Sequence, residues 1–135
     1  MAGYVVNIEE RTQSNQNFRQ VLFTGGHSQL VVMCLLPNEE IGIETHQNVD
    51  QFLRIESGEG KAVLNGEEFP LKDGSAVVVP AGVEHNIINT SAQNNLKLYT
   101  IYSPAEHRDG TIHKTKEDAL KDTEDHAFWF KRKIL

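Results

Sequence analysis

Apolar and polar residues alternate along most of this chain in short runs broken by turn residues. Arg19 to Phe23 and Gln29 to Leu36 are two β-prone runs joined through Thr24-Gly25-Gly26-His27-Ser28, a hairpin pattern. The unbroken apolar stretch Leu30 to Leu36 predicts a strand buried on both faces, by a second sheet or by a partner subunit. Pro37-Asn38 ends it. From Gln51 to Glu56 the alternation is clean, so Leu53 and Ile55 share a face with Gln51, while Phe52, Arg54 and Glu56 take the other. Gly60 to Leu64 and Glu67 to Leu71 flank Asn65-Gly66, a strong signal for a type I′ hairpin because both residues tolerate positive φ. After the turn Asp73-Gly74 come a buried strand at Ala76 to Val79 and further strands at Glu84 to Asn89 and Leu96 to Tyr102, the last two split by the polar loop Thr90 to Asn95. Short strands at this regular spacing predict an all-β, antiparallel barrel or jelly roll.

The flanks read differently. A short apolar run at Tyr4 to Val6 precedes the polar stretch Glu9 to Asn17, expected to be loop. Beyond Ser103-Pro104 the strand pattern stops. Thr115 is an N-cap candidate followed by Lys116, Glu117 and Asp118, which predicts one short helix near Thr115 to Asp122. The end, AFWFKRKIL, is aromatic and basic and is expected to dock on the barrel or on a second subunit. The whole chain, 1–135, reads as one domain with a barrel core over about 18–103 and a loop, helix and tail over 104–135.

Composition narrows the function classes. A net charge of -6 and a pI near 5.5 argue against a nucleic-acid partner, which demands clustered Lys and Arg. Apolar segments fall short of bilayer length and the start MAGYVVNIEERTQ lacks the pattern of a secretory leader, so no membrane is expected and the location is expected to be cytoplasmic. The single Cys34 sits in the apolar run LVVMCLLP and reads as a buried small hydrophobe. The apolar Leu30 to Leu36 together with the aromatic tail predicts a homodimer.

The candidate chemistry lies in NEEIGIETHQNVDQFLRIESG, Asn38 to Gly58. Glu44 and His46 are two apart in an alternating run and so leave one face of a strand. If that run pairs as a hairpin with the one opening at Gln51, all three side chains converge, and His85 in VVVPAGVEHNIINT is the candidate fourth ligand. Two imidazoles, a carboxylate and an amide oxygen suit one divalent ion such as Mn, Fe, Ni or Zn. Four ligands in octahedral geometry leave two positions for water or a bidentate ligand. The alternative is that these residues line a polar barrel interior without a metal, although a carboxylate facing an apolar barrel needs a cation.

The spacing E-T-H-(x4)-Q-(x6)-G, then G-(x5)-P-A-G-(x2)-H-(x3)-N from Gly74 through Pro80, Gly82 and His85 to Asn89, resembles the two motifs of the cupin superfamily. The first family motif usually reads His-x-His-(x4)-Glu-(x6)-Gly; here Glu44 stands where a His is usual and Gln51 where a Glu is usual, while the second motif is intact. The resemblance implies a double-stranded β-helix and a metal held by Glu44, His46, Gln51 and His85. The two departures leave the metal's identity and the reaction open. The region Ala105 to Lys116 is similar to the C-terminal part of small bacterial cupins described by likeness to mannose-6-phosphate isomerases and other sugar-phosphate isomerases.

Of the other histidines, His27 in a turn and His126 near the tail are expected on the surface. His107 and His113 frame HRDGTIH, where Arg108, Asp109, His113 and Lys114 either cover the barrel mouth and meet an anionic ligand or form a solvated connector. No further acid or base is placed by spacing. Three functions follow: a metal-dependent isomerase or epimerase on a small sugar or organic acid, a metal-dependent dioxygenase, or a non-catalytic module binding a small ligand or metal.

Overall fold

A computed structural model describes residues 2–125. Asn7 caps α1 (Ile8–Ser14), and nine strands follow among the described residues: β1 (Arg19–Thr24), β2 (Gln29–Leu35), β3 (Asp50–Ser57), β4 (Gly60–Leu64), β5 (Glu67–Leu71), β6 (Ala76–Val79), β7 (His85–Asn89), β8 (Leu96–Ser103) and β9 (Ile112–His113), then α2 (Lys116–Lys121). They form two antiparallel sheets, one in the order β6-β3-β8-β2-β1-β9 and one in the order β5-β4-β7. The predicted antiparallel β fold and short C-terminal helix are present. The aromatic tail and His126 lie outside the described residues.

The core lies between the sheets. Val31, Met33 and Leu35 of β2, Leu53 and Ile55 of β3, Ile87 of β7 and Leu96 and Leu98 of β8 are essentially inaccessible. Alternation puts Gln51 on the same side as Leu53 and Ile55, as the sequence predicts. Asn65 (φ 48°) and Gly66 (φ 85°) make the tight turn between β4 and β5, with Leu64 opposite Glu67. At Gly58 (φ 107°), a Cβ would stand 2.6 Å from the Asn95 carbonyl oxygen, so only glycine lets the β3–β4 turn approach the start of β8.

The first correction is α1. The stretch read as loop from Glu9 to Asn17 is helical over most of its length. The Asn7 side chain accepts from the Glu10 N–H at 3.0 Å, and Glu9 and Glu10 sit in the first turn, where the helix dipole favours negative charge. The helix packs on β2, β3 and β8 and buries Thr12. This explains why β2 is buried on both faces: Val31, Met33 and Leu35 meet the second sheet, while Val32 and Cys34 on the opposite face are equally inaccessible. Burial raises the Cys34 thiol pKa, in keeping with its reading as a core residue.

The second correction concerns Ala76 to Val79. The strand exists, but as an edge of the larger sheet, with Val77 and Val79 buried and Ala76 and Val78 exposed. No helix among the described residues is long and apolar enough to cross a membrane.

Candidate metal centre

Glu44, His46 and His85 come together, with one ligand-capable atom from each lying within 4.8 Å of the others. The route differs from the hairpin expected. β3, which carries Gln51, pairs with β6 and β8, so Glu44 and His46 never pair with it. The segment from Glu39 to Glu44 instead runs antiparallel along β7. Asn89 N–H donates to the Glu39 carbonyl, Ile41 N–H to the Ile87 carbonyl, and Glu44 and His85 exchange both of their backbone hydrogen bonds, each at 2.9 Å. Gly42 interrupts this pairing and gives its N–H to Asn86 Oδ1 at 2.9 Å. Two candidate ligands are thereby fixed opposite each other by main chain.

Each imidazole is oriented by a second contact. His85 Nδ1–H donates to the Val83 carbonyl at 2.9 Å, which leaves the Nε2 lone pair free to face a cation. His46 is buried, with Nε2 3.8 Å from Glu44 Oε2 and Nδ1 3.5 Å from Glu106 Oε1. Its carbonyl accepts from Gly82 N–H at 2.8 Å, which ties it to the Pro80-Ala81-Gly82 turn before β7. The motif's Asn89 has a structural task, its Nδ2 lying 2.9 to 3.1 Å from the carbonyl oxygens of Leu35, Leu36 and Asn94.

Gln51 is buried on β3, and its Nε2–H donates to Thr100 Oγ1 at 3.0 Å. Its Oε1 is a buried acceptor with no hydrogen-bond partner. A bare buried amide oxygen costs free energy, and a cation would satisfy it. Two imidazoles and the Glu44 carboxylate form a donor set that fits a divalent transition ion.

The centre opens onto a cavity of about 770 Å³ whose lining includes Arg19, Glu44, His46, Glu106, His107 and Lys116. Spacing arguments missed Glu106, a carboxylate only 2% exposed, because it stands alone in the sequence with no partner at motif distance. Of the segment Ala105 to Lys116, Glu106, His107 and Lys116 reach the cavity, whereas Arg108, Asp109, His113 and Lys114 are not part of its wall. His113 is buried and bound to Asp122, Nε2–H donating at 2.8 Å. That hydrogen bond holds the Asp122 carboxyl below its usual range. His27 is exposed, as expected.

A buried polar chain runs inward from the cavity wall at His107 and Asp125. His107 Nδ1–H donates to Asp125 Oδ2 at 2.7 Å, Arg108 N–H donates to Asp125 Oδ1 at 2.8 Å, and Tyr102 O–H lies 3.3 Å from His107 Nε2. Burial lowers the His107 pKa to about 4, the Arg19 charge pushes the same way, and the Asp125 hydrogen bond opposes both. Burial alone would raise Asp125, but the hydrogen bond and charge of His107 bring it down to about 2. Burial raises Tyr102 above the ordinary phenol value. At neutral pH the chain is therefore phenol, neutral imidazole and carboxylate. The Tyr102 ring meets that of His46 edge-on, centroids 6.0 Å apart.

Comparison with known proteins agrees with this geometry. Residues 31–102 match the Cupin domain family. The chain is 49% identical over 123 residues to the uncharacterized protein YrkC of Bacillus subtilis, covering 87% of this chain and 66% of that protein. It thus spans about two thirds of that relative's length. Among solved structures it is similar to BH2720 from Bacillus halodurans, with 41% identity, a TM-score of 0.84, and coverage of 87% of this chain and 92% of that one. A predicted oxalate decarboxylase from Thermotoga maritima is 26% identical with a TM-score of 0.54, over 57% of this chain and 66% of that one. With the paired sheets, the motif residues around one centre and these matches together, the chain belongs to the cupin family.

Proposed function

We propose that this protein is a divalent-metal enzyme acting on a small organic acid or sugar, with Glu44, His46, Gln51 and His85 as ligands and an isomerase or epimerase type of reaction. The observation that carries it is the clustering of Glu44, His46 and His85, the first two of them on the wall of a cavity sized for a small molecule. When bound, the ion would supply Lewis-acid polarisation of ligand oxygens. The chain's own residues would do the rest. Glu106 orients His46, and Asp125 and Tyr102 hold a neutral His107 at the cavity wall. Likeness to a protein described as an oxalate decarboxylase supports an organic acid over a sugar. A homodimer belongs to this reading, supported by the exposed Ile43, Val78 and Leu120; a 15 kDa species alone in sedimentation would remove it.

The test is metal analysis of protein purified without added metal, then incubation of the loaded protein in D₂O with a panel of 2-hydroxy acids, 2-keto acids and aldoses. Deuterium incorporation at carbon, seen by NMR, is the expected result. Oxygen consumption with Fe or Mn and no deuterium would favour the dioxygenase. Stoichiometric metal with neither outcome would leave a binding module.

A further inference from the structure

Among the described residues, Arg19 is the one strongly basic side chain of the cavity wall that is buried, at 7% exposure. Two neighbours hold it. It stands opposite His113 in the β1–β9 pairing, its Nη1–H donates to His113 Nδ1 at 3.3 Å, and its guanidinium lies over the Phe18 ring at 5.2 Å from the centroid. Asp122 fixes the tautomer that makes this possible, because it takes the proton on His113 Nε2 and leaves Nδ1 as an acceptor. Yet among the described residues no carboxylate forms an ion pair with Arg19, and its buried Nε has no hydrogen-bond partner. A buried guanidinium with no carboxylate in direct contact is costly, so one held in place by two neighbours calls for an anion.

We infer that Arg19 is the subsite for a single carboxylate group of the ligand, an inference that deepens the function proposed above by naming the group this wall of the cavity recognises. The parallel N–H bonds of a guanidinium match the two oxygens of a planar carboxylate.

The test uses propionate and its neutral isostere propionamide, titrated calorimetrically into chelator-treated and zinc-loaded protein. Propionate should bind Arg19→Met at least tenfold more weakly than wild type in both forms, whereas propionamide should not distinguish the two proteins. Arg19→Lys keeps the charge but loses the fork, and it should fall between them; it decides the matter if Arg19→Met does not fold. Equal propionate affinity in wild type and variants would overturn the subsite, and inorganic phosphate binding more tightly than propionate with the same dependence on Arg19 would overturn the carboxylate assignment. Wild type that binds propionate through Arg19 but takes up no stoichiometric zinc would sink the metal reading and leave the subsite standing.

Discussion

Glu44 and His85 face each other across an isolated antiparallel bridge, with both backbone hydrogen bonds at 2.9 Å, so two candidate ligands of one ion are set in register by the main chain itself. Their separation thus depends on the docking of the segment from Glu39 to Glu44 against β7. The site does not exist in the unfolded chain, and metal affinity becomes folding stability.

His46→Ala and His85→Ala should each abolish stoichiometric metal. At metal concentrations about 100 times Kd, the wild type should gain about 2.7 kcal/mol from binding, worth several degrees in Tm, and the variants should gain none. The chelator-treated proteins should melt close together. Metal analysis by mass spectrometry and calorimetric melts check this; full occupancy in His85→Ala would refute the ligand assignment.

Gln51→Glu is expected to tighten metal binding about tenfold or more, since it adds a second negative charge beside Glu44. Thr100 can reverse its hydroxyl and donate to the new carboxylate, so the local hydrogen bond survives. Isothermal titration with Zn²⁺ and Mn²⁺ measures the change. An unaltered Kd for both ions would take Gln51 out of the coordination sphere.

The pair His107 and Asp125 makes stability sensitive to acid. His107 has a folded pKa of about 4 against an ordinary 6.5, so the unfolded chain binds more protons in between and stability is lost as pH falls from 6.5 toward 4. Asp125, at about 2 against 3.8, adds a loss of the same sign at lower pH. Roughly 3 kcal/mol is the scale for the histidine. His107→Asn keeps an N–H for Asp125 without a titrating group, so its Tm should be flatter than wild type between pH 6.5 and 4; parallel curves would show that other groups carry the acid response.

Asn7→Ala removes the cap of α1 and should cost about 1 kcal/mol, lowering Tm by a few degrees in thermal melts without changing metal content. A melt unchanged from wild type would mean that α1 contributes little to covering β2.

Where a residue's task is set by its neighbours in sequence, it was legible. Alternation from Gln51 to Ile55 gave the inward face of β3, Asn65-Gly66 gave its turn, and Thr115 with Asp118 gave the cap of α2. The helix α1 escaped because Ile8 is its only large apolar residue, so the amphipathic period was absent and only Asn7 with Glu9 and Glu10 hinted at it. The convergence of Glu44, His46 and His85 was foreseen but its topology was not, because β3 pairs with β8 across more than forty residues of chain, beyond the reach of local pattern. Glu106, Arg19 and Asp125 meet the site through tertiary packing alone, and nothing in their spacing marks them.

The segment carrying Glu44 and His46 is also an outermost lane of the smaller sheet, beside β7 and broken at Gly42. An edge held by a few discontinuous pairs opens readily, and an opened edge offers free N–H and C=O groups to another chain. An ion bridging that lane to His85 would rivet the edge shut. Loss of metal would then do more than silence chemistry: the amides of Ile41, Glu44 and His85 would exchange faster with solvent, and the same protein at the same concentration would become more prone to stick to itself.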